Sequence, residues 1–501
     1  MFFRFQVLFA ISFILIAGVN SIVQADTLRM GIQGFPSFGG NPLANANTPP
    51  LYTHAALFDA LTYVRNDGVA QPQVAESWSH TNENTWVFRL RSDVVFHNGE
   101  PFNAESVVFA IEILKGELGR GYATASEILN LGSARVIDDR TVEITTTAPN
   151  PFLPQELSLL KFVAPQHWRD VGPEGFALAP IGTGPFMLEK WGATLISLVA
   201  APQAWRSPKV ERLDLYSVPE QTARLQGLLS GRLDVAVGFS PDDVPTLEDA
   251  GYRMHVAPDA RSIVFAFITV KQSPLQDQRV RQALNHAVHK QQIVDSLMGG
   301  YGRVSTQSAP AIAFGYNPSI PSYEYDPDKA RRLLAEAGYP NGFSMVGEIL
   351  AYLPAFQTNI YQQMAADLAR VGVNVELRKI PIPQYARGLY QGDWGGEAFG
   401  VDYGTAPSLD ALRSLNRHSC SWLHPWYCDE SLTPLLEQAR STFDLDERLQ
   451  LTQQVMRHQR DQASGIFLYD VVRFDGLTRH VKGFSVYTDF IPYDQISLDG
   501  T

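Results

Sequence analysis

The segment HSCSWLHPWYC, His418 to Cys428, carries both cysteines of the 501-residue chain, two histidines and three aromatic side chains. Such a set is open to three chemistries: a metal centre, a redox pair, or a covalently closed loop. A metal centre uses thiolates and imidazoles at tight spacing such as C-x2-C. Cys420 and Cys428 lack that spacing, and no C-x-x-C redox pair occurs. In an oxidising compartment two thiols this close can join. The expectation is therefore a Cys420–Cys428 disulfide, with free buried thiols or a metal site as alternatives. Closing so short a loop stabilises a fold by about 2–3 kcal/mol, chiefly by restricting the unfolded chain. It also holds Trp422, His424, Trp426 and Tyr427 in a fixed arrangement, and a rigid aromatic loop makes a wall for a ligand.

The N-terminus speaks for such a compartment. Arg4 precedes an almost wholly apolar run from Phe5 to Val19, and Val23-Gln24-Ala25 then forms a small-residue cleavage site. That is the layout of a secretory signal peptide over residues 1–25, with Asp26 opening the mature chain and an uncleaved anchor as the alternative. The run is shorter than the roughly 20 residues needed to span a bilayer. No cysteine lies near the cleavage point, so no lipid anchor is expected. The expected location is the periplasm.

Composition narrows the remaining classes. A net charge of −12 argues against a nucleic-acid partner, because phosphate binding wants a basic face. At 45% hydrophobic and 18% charged residues the chain reads as globular, and its length as two or three domains. There is no G-x-S-x-G elbow and no H-E-x-x-H; Ser37 sits among glycines at the wrong spacing. No catalytic residue, metal ligand or cofactor is assigned, and a periplasmic hydrolase remains the remote alternative.

The elements that must position these side chains alternate between short strands and helices, which favours an α/β architecture. In TWVFRLR, Trp86, Phe88 and Leu90 fall on one face of a strand. Asn98-Gly99 marks a turn. Asn103 can cap a helix whose Val107, Ala110, Ile111 and Leu114 share a face. A hairpin centres on Asp138-Asp139. IGTGPF, from Ile181, marks a chain crossing before a strand. QTARLQGLLSGRLDVAV reads as helix, Gly231 stop and buried strand, a βαβ-type element. Further on, Val280, Leu284, Ala287, Val288 and Leu297 form one helical stripe. Asp326, Pro327 and Gly338 punctuate another helix. Phe356, Ile360, Met364, Leu368 and Val371 face inward on a third, which Gly372 ends before a strand.

The stretch AESWSHTNENTWVFRLRSDVVFHNGEPFNAESVVFAIE, Ala75 to Glu112, resembles the signature of family 5 solute-binding proteins of ABC importers, the dipeptide, oligopeptide and nickel type. IGTGPF, QTARLQGLLSGRLDVA, RVRQALNHAVHKQQIV and YDPDKARRLLAEAGYPNGF resemble later hallmarks of the same family, in the same order. The resemblance implies a two-lobed α/β periplasmic binding protein, type II, cluster C, with an extra domain in the N-terminal lobe. Lobe I would hold 26–55, 181–265 and 480–501, the extra domain 56–180, and lobe II 266–479, with crossings near 266 and 479. It implies a monomer that captures a peptide or peptide-like small molecule by hinge closure and delivers it to an inner-membrane permease. ATP hydrolysis would belong to other subunits, and this chain has no Walker-type G-x-x-x-x-G-K. The same fold also carries opines, sugar derivatives, nickel or other metal chelates, and haem. A chaperone or sensor that feeds no permease is a further alternative.

Within that frame three segments are candidate ligand walls. The loop GIQGFPSFGGNPL matches a cleft wall of the family, where Phe35 and Phe38 would stack on a ligand. The segment from Trp394 to Leu412 matches the region that holds a peptide's α-amine. It keeps Asp402 but lacks the family's Gly-Asp-Pro-Asp pattern, so Asp402 reaches the amine-binding position only across a gap; Tyr403 would add a hydrogen bond. The closed loop supplies Trp422, His424 and Trp426. Arg413 is open to an anionic ligand group, but a solvated helix face is the simpler reading.

Overall fold

A computed structural model of the chain describes residues 26–44, 48–488 and 490–499. The segment read as a signal peptide lies outside them. The Thr85–Leu90 strand follows its alternation: Trp86, Phe88 and Leu90 are all buried. It pairs antiparallel with Ala75–Asn82 and Thr141–Thr146, and Leu131–Asp138 completes a sheet of four. Gly99, at φ +87, closes the turn before the helix by donating its N–H to Phe96 O at 2.8 Å. The helix Ala104–Lys115 starts at Asn103, whose side chain accepts the Ser106 N–H in a capping box. Its buried stripe of Val107, Ala110, Ile111 and Leu114 packs on this sheet.

A second, eleven-stranded sheet runs through the rest of the molecule. On one side Thr27–Ile32 lies parallel to both Arg212–Ser217 and Val235–Val237, with the helix Gln221–Leu229 as the crossover and Gly231 at φ +71 after it. On the other side Phe343–Leu350 lies parallel to Val373–Ile380 and Ala398–Gly404. Two long antiparallel strands, Arg253–Phe267 and Gly465–Leu477, join the halves. Their outer neighbours change along their length. Val235–Val237 pairs at the Asp475–Leu477 end, and Ala398–Gly404 pairs at Arg261–Phe267. A register shift between Pro258 and Ser262 falls at that change, and a bulge of this kind bends and twists a strand. Separate buried clusters serve the two sides, the first shared with the four-stranded sheet. This is the mixed α/β, two-lobed architecture with an added small-sheet unit.

The segment with the stripe from Val280 to Leu297 is two helices, Gln278–Ala287 and Lys290–Leu297. Val288 is extended, and the His289 ring accepts the Gln292 N–H at 3.0 Å, starting a new helix. Apolar spacing is blind to such a side-chain cap. The IGTGPF segment has a plain packing reason. A Cβ at Gly182 or Gly184 would run into the backbone of Leu57 and its neighbours.

Candidate ligand-binding cleft

The strand Ala398–Gly404 carries Ala398, Gly400, Asp402 and Gly404 on one face, so Asp402 is the one long side chain rising from it, flanked by two glycines. Arg261 of the first long strand lies in register with Gly404. Its guanidinium donates to Asp259 at 2.8 and 3.1 Å and to Asp402 at 3.4 Å. Arg473, on the second long strand, stands 3.7 Å from Asp259. Asp402 thus shares its nearest cation with another acid. Burial pushes its carboxyl above the usual range and Arg261 pulls it back. The side chain is deep in the protein, yet 42% of it remains accessible because it faces a cavity.

That cavity measures about 810 Å³. Its lining comes from two bodies: residues 126–156, the small-sheet side, and residues 350–448 of the second lobe, with Arg261 at the join. Of the expected wall residues, Asp402, Tyr403, Trp422 and Trp426 all border it. Cys420 and Cys428 are joined by a disulfide. Trp422 donates its indole N–H to Leu389 O at 2.8 Å, and Arg417 lies 5.6 Å over both the Trp422 and Tyr390 rings. Trp426 is buried and meets Phe399 edge-on at 5.3 Å. Tyr403 approaches the ring of His418, which burial pushes down to about 3 and so keeps neutral.

The other expected residues stand elsewhere. Trp394 does not border the cavity; it is stacked on Phe399 at 3.8 Å, in the layer behind the wall. His424 sits beside Gly392, outside the lining. Phe35 packs on Trp191 in the first lobe, and Phe38 is 60% exposed. Neither borders the cavity. Arg413, taken as a solvated helix face, is instead half-buried. Its guanidinium donates to Gly404 O at 2.8 Å and pairs with Glu127 of the small-sheet unit.

Sequence reasoning missed the small-sheet side of the wall altogether. Phe152 lies under the guanidinium of Arg448 at 4.3 Å, and Arg448 in turn pairs with Asp410 at 2.6 Å. Glu156 carried no expectation, although an acid inside the apolar run FLPQELSLL is a local sign of a buried carboxyl. Among the described residues no cluster of three or more His, Cys, Asp or Glu could hold a metal ion, and no helix is long and apolar enough to cross a membrane.

Residues 69–417 match the middle region of the bacterial extracellular solute-binding proteins, family 5, and the chain belongs to that family. The dipeptide-binding protein of Escherichia coli is 27% identical over 93% of this chain and 94% of its own length. The heme-binding protein A of Haemophilus influenzae is also 27% identical, over 86% of this chain and 84% of its own. Among solved structures, HbpA2 from Haemophilus parasuis superposes with a TM-score of 0.83 at 24% identity, over 95% of this chain and all of that one.

Proposed function

We propose that this chain is the periplasmic solute-binding component of an ABC importer. It captures a peptide or peptide-like small molecule between two closing lobes and passes it to an inner-membrane permease with separate ATPase subunits. It acts as a monomer and catalyses no reaction. The observation that carries this reading is Asp402: an accessible carboxyl in the wall of the cleft, sharing its nearest guanidinium with Asp259. A ligand ammonium there would offset the burial that disfavours the carboxylate. Trp422, Trp426 and Tyr403 would enclose the neighbouring part of the ligand.

The proposed division is lobe I at 26–55, 181–265 and 480–501, the extra domain at 56–180, and lobe II at 266–479. The change of strand partners around Pro258–Ser262 supports a hinge within the two long strands. Ligand touching both bodies would favour the closed form by its differential affinity.

Native mass spectrometry of protein prepared from the periplasm should show a co-purified peptide. Asp402→Ala should weaken its retention by about tenfold or more, the scale of a hydrogen bond to a charged group. Unchanged retention would show that the amine site lies elsewhere. Haem is the second reading, favoured by a heme-binding relative as similar as the dipeptide-binding one. A Soret absorption band in the purified protein would select it.

A further inference from the structure

Glu156 ends the short helix Leu153–Glu156 on the cavity wall and is 6% exposed. One carboxyl oxygen, Oε2, accepts the Leu129 N–H at 2.9 Å and the Asn150 amide at 2.8 Å. Both donors are neutral. The other oxygen, Oε1, has no hydrogen-bond partner among the described residues. The charged groups that act on it are Asp410 and Arg413, and Glu127 and Arg448 line the same cavity. Neither Arg413 nor Arg448 hydrogen-bonds to Glu156, although Arg448 Nε has no partner among the described residues. Arg413 is held by Glu127 and Gly404 O, and Arg448 by Asp410 and the carbonyls of Ala439 and Arg440. A buried carboxylate without a cation is costly, and such a group takes up a proton instead.

We propose that Glu156 presents a carboxylic O–H to the cavity and donates it to an uncharged carbonyl oxygen of the bound solute, such as a peptide carbonyl. The proposal rests on the reading of this cleft as the solute site and adds a specificity residue from the small-sheet unit. Asp402 would hold a cation, and Glu156 would supply a neutral donor to an acceptor oxygen of the solute. Burial pushes the Glu156 carboxyl up to about 8; Asp410 pushes it further, while the Asn150 and Leu129 bonds and Arg413 pull it back. Ionisation removes the donor, so affinity is held below about pH 8 and falls as pH rises through it.

The test uses the full-length mature protein and a defined pool of di- and tripeptides, with the tightest member then titrated by calorimetry across that pH. Glu156→Gln keeps a side-chain donor and an oxygen for Leu129 and Asn150. It should bind within a factor of about two of wild type at neutral pH and fall less steeply on the alkaline side, keeping only the loss that comes from the peptide's own α-ammonium at about pH 8. Glu156→Leu should bind about tenfold more weakly. Equal binding by Glu156→Leu, or an alkaline fall as steep in Glu156→Gln as in wild type, overturns the proposal and leaves the peptide reading intact. Infrared difference spectra of wild type against Glu156→Gln, taken without ligand, should show a protonated carboxyl band at neutral pH. If no peptide in the pool binds, the peptide reading falls; the band then decides whether Glu156 is the donor described, and its absence overturns that as well.

Discussion

Asp402, Tyr403, Trp422 and Trp426 reach one cavity from a strand and a disulfide-closed loop, and this convergence was partly legible in the chain. The signal lay in residue types: an acid flanked at i±2 by glycines, and aromatics between two cysteines. What could not be read was which way a glycine-rich loop faces, and Phe35 and Phe38 lie away from the cavity for that reason. Nor does any local pattern join Glu127 to Arg413, whose contact spans 286 residues of chain. At this scale the disulfide is the feature most open to measurement. Replacing Cys420 and Cys428 together by Ser should lower unfolding free energy by about 2–3 kcal/mol in denaturant melts, the loop-closure contribution. It should also weaken capture, because Trp422 and Trp426 lose their fixed spacing. A midpoint unchanged from wild type would mean that packing of Trp426 and Tyr427 holds the loop unaided.

Single elements were more legible than single contacts. Alternation in Thr85–Leu90, the Asn103 cap, and the punctuation by Asp326, Pro327 and Gly338 all appear where local chemistry places them. These signals act within one turn or one strand, so no distant partner is needed to read them. The break at Val288–His289 escaped because a capping imidazole outweighs an apolar stripe. Gly182 and Gly184 were read as marking a chain crossing, and the structure adds that they sit directly against the Leu57 backbone. Gly182→Ala should therefore cost about 1–3 kcal/mol of stability through overpacking. A thermal melt measures it, and a wild-type midpoint would show that the Leu57 segment can retreat.

At the scale of the whole molecule, Glu127–Arg413 and Arg448 over Phe152 tie the small-sheet unit to the second lobe across the cavity. Arg413→Gln should weaken ligand binding by about 1 kcal/mol, roughly fivefold, mainly through faster release. A double-mutant cycle with Glu127→Gln separates the ion pair from direct ligand contact: additive effects would show that the pair contributes nothing to closure. Solution scattering should show a smaller radius of gyration with bound cargo than without. The two long strands carry one further consequence. Because Arg253–Phe267 and Gly465–Leu477 hydrogen-bond to each other through both lobes, neither lobe owns a complete set of strands. A chain cut short before Gly465 would leave the first long strand with a bare flank, rich in apolar side chains and ready to recruit the same flank of a neighbour. A chain cut there would not be a weaker binder; it would be a seed for clumping.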